Sequence, residues 1–245
     1  MSFKDHFSAH AADYAQFRPH YPPELFAHLA SIAPNRDVAW DCATGSGQAA
    51  TALAEHFARV IATDASEKQI ANARSHPRVE YRIATAEESG LASESVSLIT
   101  VAQALHWFDR AQFFTEASRV LQHRGILAVI VYNFLQTSPE IDERLNRFYN
   151  DVVGSYWDFE RRDVENSYRD IAFPFADVAT PEFKMSVTWS LEHALGYVRT
   201  WSATKAFIEA KGFDPVDSLG AELENIWTTP RCVTWPLRVI VRRKP

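Results

Sequence analysis

The chain contains 245 residues, of which 47% are hydrophobic and 23% are charged, and its formal net charge is −6 at pH 7. This composition predicts a globular protein with a sizeable core. We expect no nucleic-acid partner, because proteins that bind nucleic acids concentrate Lys and Arg, whereas this chain is acidic. Cys42 and Cys232 lack the spacing of a disulfide framework or a zinc site, so we also expect no bound metal.

The N-terminal residues contain no apolar core typical of a signal peptide. The longest apolar run, Gly125–Val131, is too short to cross a bilayer. We therefore expect a cytoplasmic protein with no membrane association, and either a monomer or a homodimer.

Short β-branched or apolar runs alternate with helical patterns over the first two thirds of the chain. The predicted strands are Val38–Asp41, Arg59–Thr63, Val79–Ile83, Val96–Ala102 and Gly125–Tyr132. The predicted helices between them cover about Gln48–Phe57, Glu67–Ser75 and Arg110–Leu121. Strands separated by helices of this length indicate parallel crossovers and a doubly wound sheet.

The pattern changes after Asn133. An amphipathic helix is predicted over Ser138–Val153, and the later elements are a strand, two helices and a last strand, over Glu182–Leu191, Glu192–Ala203, Asp217–Trp227 and Val233–Val241. We predict an α/β fold, with a Rossmann-like doubly wound sheet of seven mostly parallel strands and an antiparallel last strand. Residues 1–245 form one domain in this interpretation, with residues 1–30 as an N-terminal lid and residues 136–175 as a small inserted helical cap.

A glycine turn is the strongest signal for a binding site. In VAWDCATGSGQ, residues 38–48, Gly45 and Gly47 lie between a predicted strand and a helix start. Glycines there allow a tight turn and bring backbone N–H groups at a helix N-terminus close to a ligand. A plain tight turn between strand and helix is the alternative.

Asp64 ends the second predicted strand, where a carboxylate can accept hydrogen bonds from both hydroxyls of a ribose. Its alternative role is the N-cap of the next helix or a turn residue, which Ser66 could equally provide. The glycine turn upstream favours the ribose interpretation.

The spacing of the turn helps to choose between two cofactors. Dinucleotide sites use G-x-G-x-x-G to face a pyrophosphate, whereas this chain has Ala43, Gly45 and Gly47. The carboxylate of Asp41 would repel a pyrophosphate and would suit a ligand with an ammonium group. S-adenosylmethionine has an amino-acid tail and no phosphate, so the turn favours it over a nicotinamide cofactor.

The sequence resembles the class I S-adenosylmethionine-dependent methyltransferases. D-x-A-T-G-S-G-Q is similar to their first motif, usually D-x-G-x-G-x-G, with Ala43 in place of a glycine, and Ser97 stands where an Asp often opens the fourth strand. Further segments look like the methyltransferase type 11 branch that includes trans-aconitate methyltransferase-like enzymes: FSAHAADYAQFRPHYPPEL (7–25), QALHWFD (103–109), YVRTWSA (197–203) and WPLRVIVRRKP (235–245).

The resemblance implies S-adenosylmethionine as methyl donor, S-adenosylhomocysteine as product, and a small-molecule acceptor. We expect Arg18 to hold the cofactor carboxylate and Tyr14 to lie beside the sulfonium. The expected cofactor-binding residues are Tyr14, Arg18, Asp41, Ala43, Gly45, Gly47, Asp64, Ala65, Ala86, Glu87 and Gln103. The expected substrate face comprises Tyr21, His106, Trp107, Tyr132, Asn133, Tyr156, Trp157, Phe159, Arg199 and Trp201.

Two residues define a mechanistic choice. A carboxylate acceptor is already ionised and needs a cation such as Arg199, whereas a phenol or amine needs a catalytic base such as His106. A carboxylic acid is therefore one candidate acceptor. A nicotinamide-dependent oxidoreductase and a methyltransferase-like binding protein without activity remain the alternatives to a methyltransferase.

Overall fold

The computed structural model describes residues 17–245, and five parallel strands form the first part of its sheet. They are β1 (Val38–Cys42), β2 (Arg59–Asp64), β3 (Val79–Ile83), β4 (Val96–Ala102) and β5 (Leu121–Tyr132). Their spatial order is β3-β2-β1-β4-β5, so the order reverses between β1 and β4. In open α/β sheets, ligands bind beyond the carboxyl ends of the strands at such a reversal.

Three later strands complete the sheet: β6 (Ala176–Val178), β7 (Phe183–Trp189) and β8 (Arg231–Arg243). β8 pairs antiparallel with β5 on one edge. On its other edge, β6 pairs with Val241–Arg243 and β7 with Arg231–Leu237. The two short strands therefore lie end to end, and the eight strands fill seven positions. The predicted doubly wound fold with an antiparallel last strand is confirmed, and β6 is an addition to it.

Four helices accompany the parallel strands: α1 (Pro23–Ile32), α2 (Gln48–Leu53), α3 (Glu67–Ala71) and α4 (Arg110–Val120). Side-chain caps fix the starts of two of them. The N–H of Gln69 donates to Ser66 Oγ, and the N–H of Gln112 donates to Asp109 Oδ1. These caps satisfy N–H groups that have no partner within the helix.

The helices after β5 are α5 (Pro139–Arg147), α6 (Arg161–Glu165), α7 (Leu191–Arg199), α8 (Ser202–Lys211) and α9 (Val216–Leu223). The predicted helix over Ser138–Val153 is confirmed, as α5 and a π-helical turn over Phe148–Val152. The helix predicted over Glu192–Ala203 is instead divided, because Trp201 is extended, with φ −66° and ψ 139°. The second piece, α8, was not predicted.

Apolar side chains cover both faces of the sheet. Along β1, Trp40 and Cys42 enter one buried cluster, whereas Ala39 enters the cluster on the opposite face. This alternation is that of a strand buried on both sides. The sheet is therefore a rigid platform for the loops at its carboxyl edge. None of the helices in residues 17–245 is long and apolar enough to cross a membrane.

Candidate functional site

The glycine turn follows β1 and contains three residues with left-handed backbone. Ala43, Gly45 and Gly47 have φ of 55°, 54° and 78°. A Cβ at residue 47 would lie 2.2 Å from the hydroxyl oxygen of Tyr81, so glycine is required there by packing as well as by φ. Ala43 adopts the same backbone region despite its Cβ, which costs about 1–2 kcal/mol.

The Asp64 side chain points toward this turn. Its Oδ2 accepts a hydrogen bond from the N–H of Gly45 at 2.9 Å, and its Oδ1 accepts one from the N–H of Ser66 at 2.9 Å. Ser66, and not Asp64, provides the N-cap of α3. The bond from Asp64 to the N–H two residues on, however, is the turn role that was its other alternative. The geometry also places a buried carboxylate beside the glycine turn, where ribose hydroxyls could donate to it.

Asp41 lies buried at the end of β1. Its two carboxylate oxygens accept hydrogen bonds from the hydroxyls of Thr44, at 2.5 Å, and Thr100, at 2.7 Å. Burial raises the pKa of Asp41 to about 6, and the negative charge of Asp64 also raises it, against the lowering by the hydroxyl bonds. A cationic ligand group would favour the ionised form of this carboxylate.

Ala65, Ala86 and Glu87 flank the same edge. Ala65 is half-buried after β2, and Ala86 packs in the apolar cluster that contains Ala104. The carboxylate of Glu87 accepts a hydrogen bond at 2.9 Å from the N–H of Asp109 and so fixes the loop after β4. These segments could border an adenine ring.

The side-chain amide of Gln103 forms two hydrogen bonds with the backbone at the end of β5. Its Nε2 donates to the carbonyl of Tyr132 at 3.0 Å, and its Oε1 accepts from the N–H of Tyr132 at 3.1 Å. The backbone of Gln103 is left-handed, with φ 56°. Its side chain therefore positions the end of β5, and its direct contact with the cofactor stays a prediction.

A cavity lies beyond the ends of β4 and β5, and we call it the aromatic cavity. Its lining comprises Arg18, Gln103, His106, Trp107, Tyr132, Asn133, Phe134, Leu135, Tyr149, Trp157, Asp158, Arg161, Tyr197, Trp201 and Ser202. Two arginines and one aspartate give this lining a net positive charge. Seven of the residues are aromatic besides the histidine, so a flat or apolar ligand is favoured.

Arg18 connects the beginning of the described chain to the aromatic cavity. Its Nη1 donates to the hydroxyl of Tyr132 at 3.1 Å, and its guanidinium lies 5.1 Å from the ring centre of Tyr197. Nearby, the side-chain amide of Gln48 at the start of α2 forms two hydrogen bonds. Its Oε1 accepts from the N–H of Tyr21, and its Nε2 donates to the carbonyl of Pro19. Tyr14, which was predicted to lie beside the sulfonium, is outside the described residues.

His106 and Trp107 lie in a short 3-10 turn after β4, and both line the aromatic cavity. The His106 Nδ1 is 2.7 Å from the hydroxyl oxygen of Tyr168. Burial, and then the positive charge of Arg161, lower the pKa of His106 to about 3. The imidazole is therefore neutral at physiological pH and is a weak base.

Arg161 faces the aromatic wall of the cavity. Its guanidinium carbon lies 4.8 Å from the ring centre of Trp157 and 5.7 Å from that of Tyr149. Its Nε donates to the Tyr149 hydroxyl at 2.9 Å, and that hydroxyl donates to Glu165 at 2.5 Å. In residues 17–245, no carboxylate lies within 4.0 Å of the Arg161 guanidinium.

The remaining predicted substrate residues have different positions. Arg199 forms ion pairs with Asp214 at 2.6 Å and Asp217 at 2.7 Å and is not part of the cavity lining. Its predicted role in holding a substrate carboxylate is therefore corrected: the two aspartates already neutralise it. Tyr156 packs on Phe207, away from the lining.

Phe159 is also outside the cavity, with 74% of its surface exposed. Asn133 does line the cavity, but its side-chain amide donates to the carbonyl of Glu165 at 2.8 Å and holds the turn after α6. Tyr21 contacts Tyr132 ring to ring at 6.3 Å and lies behind the lining. Trp201, Trp157 and Tyr132 are brought together as predicted.

Among the residues that the structure brings to or beneath the cavity and that sequence reasoning did not select, four matter for the site chemistry. They are Tyr149, Arg161, Tyr168 and Tyr197. Tyr197 lies in YVRTWSA (197–203), a segment that resembles the family, and that resemblance could have identified it as a site residue. Tyr149 lies within the predicted helix over Ser138–Val153, whereas Arg161 and Tyr168 lie in the stretch from 154 to 175, which has no clear periodicity. Among residues 17–245, no group of three His, Cys, Asp or Glu is arranged to hold a metal ion.

Comparisons with known proteins address the family of this chain. A protein-family model described as a methyltransferase domain matches residues 40–129. A methyltransferase of Dictyostelium discoideum is 34% identical over 231 residues, which cover 93% of this chain and 88% of the relative. The solved structure of a type II methyltransferase from Anaeromyxobacter dehalogenans is 40% identical, with a TM-score of 0.87, and covers 93% of this chain and 98% of its own.

A more distant likeness supports the fold alone. The Haemonchus contortus phosphoethanolamine N-methyltransferase 2, solved with S-adenosylhomocysteine, is 17% identical with a TM-score of 0.53, over 100% of this chain and 60% of its own. The family model, the Dictyostelium relative and the Anaeromyxobacter structure together show the family of this chain. The chain belongs to the class I S-adenosylmethionine-dependent methyltransferases.

Proposed function

We propose that this enzyme methylates the carboxylate of a small molecule with an aromatic or apolar body. The observation that carries the proposal is Arg161, a half-buried cation in the cavity with no carboxylate of residues 17–245 at ion-pair distance. A substrate carboxylate would provide that partner, and Arg is the side chain best suited to bind a carboxylate with two parallel hydrogen bonds.

The state of His106 supports the same class of acceptor. A phenol or an ammonium group must lose a proton before methylation, and an imidazole whose pKa is lowered to about 3 is too weak a base for that step. A carboxylic acid, with an ordinary pKa of about 4, is already ionised at neutral pH. It therefore needs a cation and a positioned donor, and it needs no base.

The aromatic wall supports an apolar body on the acceptor. Trp157 and Trp201 lie with their ring centres 5.8 Å apart, and Phe134 lies 5.8 Å from Trp201. Rings of this kind bind flat or apolar groups and exclude water from the reacting atoms. The aromatic cavity would hold such a body while Arg161 orients the carboxylate.

The residues at the sheet edge fit the methyl donor. We propose that Asp64 accepts from the ribose hydroxyls, that Asp41 faces the ammonium group and that Arg18 holds the carboxylate of the amino-acid tail. Ala65, Ala86 and Glu87 would border the adenine. When bound, S-adenosylmethionine supplies an electrophilic methyl group on a sulfonium, so the chain contributes mainly position and the exclusion of water.

A transfer assay with labelled S-adenosylmethionine tests the proposal. The acceptors are aromatic and aliphatic carboxylic acids, each paired with the alcohol, phenol and amine of the same skeleton. We expect label in a methyl ester of at least one acid and none in the paired compounds. Label confined to phenols or amines, or no transfer to any acceptor in an enzyme that binds the donor, would contradict the proposal.

The variant Arg161→Gln removes the positive charge of Arg161 and so tests its contribution separately from that of the rest of the cavity. Loss of a hydrogen-bonded charge pair costs about 1.5–3 kcal/mol, so we expect the KM for the acid to rise about 10- to 100-fold. The matched control is Arg162→Gln, since Arg162 is exposed and lies over Phe159 outside the cavity. Equal KM values in the two variants would remove Arg161 from the substrate site.

A further inference from the structure

The Tyr168 phenol is a buried polar group that the reaction described above does not use. Its side chain is 2% exposed, and its hydroxyl oxygen lies 2.7 Å from the Nδ1 of His106. The two residues are 62 positions apart in the chain. Tyr168 lies behind the imidazole, because His106 belongs to the cavity lining whereas Tyr168 does not.

The direction of this hydrogen bond follows from the surroundings of the phenol. Within residues 17–245, the Nδ1 of His106 is the only hydrogen-bond acceptor that the Tyr168 hydroxyl reaches. Burial raises the pKa of this phenol, so it keeps its proton. If the imidazole donated instead, the phenol proton would be buried without an acceptor, an arrangement that native structures avoid. The phenol therefore donates, and Nδ1 accepts.

The backbone around Tyr168 holds this phenol in place. Ser167 and Tyr168 both have left-handed backbone, with φ of 54° and 57°. The N–H of Tyr168 donates to the Asp163 carbonyl at 2.9 Å, and the Asn133 side chain donates to the Glu165 carbonyl at 2.8 Å. Two successive strained residues persist only where the surroundings determine them strongly. Here they bring the phenol against the imidazole.

We infer that Tyr168 is a positioning residue that holds His106 in the tautomer with its proton on Nε2. A neutral imidazole carries one proton, and since Nδ1 accepts from the phenol, that proton is on the other nitrogen. His106 therefore meets the acceptor as a hydrogen-bond donor. The identity of the acceptor rests on the proposed function: a carboxylate oxygen can accept from Nε2–H beside Arg161, whereas a group that must be deprotonated cannot use it.

The tautomer can be measured without any acceptor. Nitrogen-15 NMR of the full chain, labelled in its nine histidines and bound to S-adenosylhomocysteine, distinguishes protonated from unprotonated ring nitrogens. The variant His106→Gln identifies the His106 signals by their loss. We expect an unprotonated Nδ1 and a protonated Nε2. A proton on Nδ1 in the unmodified protein overturns the inference, and this outcome does not depend on the folding of any Tyr168 variant.

The variant Tyr168→Phe keeps the buried ring and removes only the hydroxyl. We expect both His106 nitrogens to move to intermediate shifts, because the two tautomers then exchange. An unchanged His106 spectrum in this variant contradicts the inference. If the expected spectra are obtained but no carboxylic acid is methylated, the inference about His106 stands and the proposed function fails.

A kinetic cycle then distinguishes positioning from a general structural effect. With a carboxylic acid acceptor, Tyr168→Phe is expected to raise KM about fivefold, with a smaller change in kcat, because one hydrogen bond to a charged group is weakened. In the His106→Gln background, the same change should have no further effect. Equal effects in both backgrounds show that Tyr168 does not act through His106.

Discussion

The two ends of the site are built in different ways. The cofactor end, residues 41–47, 64–66 and 86–87, is formed by short segments at the ends of three parallel strands, and its central contact is between a backbone N–H of Gly45 and Asp64. The aromatic cavity is formed by residues from distant parts of the chain, from Arg18 to Ser202. In the proposed function, backbone geometry set by strand ends would bind a constant cofactor, whereas packed side chains could vary with the acceptor.

The largest expected effect is at the cofactor end. We expect Asp64→Ala to weaken S-adenosylhomocysteine binding by more than about 100-fold, because two hydrogen bonds from ribose hydroxyls to a charged group are lost at about 1.5–3 kcal/mol each. Isothermal titration calorimetry measures the change. The control is Glu67→Gln, an exposed carboxylate in the first turn of α3. Affinity within threefold of the unmodified chain would break the assignment of Asp64.

A smaller effect concerns the pH dependence of the cofactor end. The pKa of Asp41 is raised to about 6, so this carboxylate becomes neutral below that pH and loses its attraction for an ammonium group. We expect the Kd for S-adenosylhomocysteine to rise about tenfold from pH 7 to pH 5, the change for one group that titrates near 6. Without ligand, the folding stability changes with pH in the opposite direction. Because the pKa of Asp41 is higher in the folded than in the unfolded chain, protonation of Asp41 stabilises the fold fully below the unfolded pKa, and this stabilisation is lost as pH rises through 6.

Calorimetry over this pH range, repeated with Asp41→Asn, checks the prediction. The variant cannot ionise at residue 41, so its Kd should be weaker at pH 7 and nearly constant with pH. An equally steep pH dependence in both proteins would assign the effect to another group and would leave the ammonium interpretation without support.

The smallest expected effect is at the acceptor end. Ser167→Gly should stabilise the fold by about 1 kcal/mol, since glycine adopts left-handed backbone without the cost that other residues carry. For a chain of this size, that gain raises Tm by about 2–4 °C. The matched control, Ser186→Gly in the exposed face of β7, should lower Tm, because glycine weakens an extended strand. Equal shifts in both variants would show that the turn at 167 is not strained.

Much of the cofactor end could be predicted because its signals are local in the sequence. The turn at 43–47 and the acid at 64 each follow a strand of clear apolar character, and parallel strands bring their carboxyl ends to one edge. The nicotinamide alternative was wrong, and the missing glycine spacing had indicated this. β6 was not predicted because a strand of three residues is too short to show a hydrophobic periodicity in the sequence. Membership of the trans-aconitate methyltransferase-like branch remains a prediction.

The acceptor end could be predicted only in part. Trp107 and Trp201 were selected as aromatic residues in segments that resemble the family, and Tyr132 as an aromatic residue at the end of a predicted strand; the cavity contains all three. Arg161 was overlooked in favour of Arg199, because sequence does not reveal which arginine is neutralised by nearby carboxylates. That distinction depends on Asp214 and Asp217, which approach Arg199 only through the packing of α7 and α9.

Tyr132 has a consequence for redesign of the enzyme. Its backbone forms two hydrogen bonds with the Gln103 side chain, and its hydroxyl accepts a hydrogen bond from Arg18 Nη1. One residue at the end of β5 therefore connects the proposed donor and acceptor ends of the site. Because we propose that Arg18 holds the methyl donor, we expect a library that varies Tyr132 to broaden acceptor choice to lose donor affinity as well. Trp157 is the better starting point, because its aromatic and cation–π contacts among the described residues are with Tyr149, Trp201 and Arg161, all in the acceptor wall.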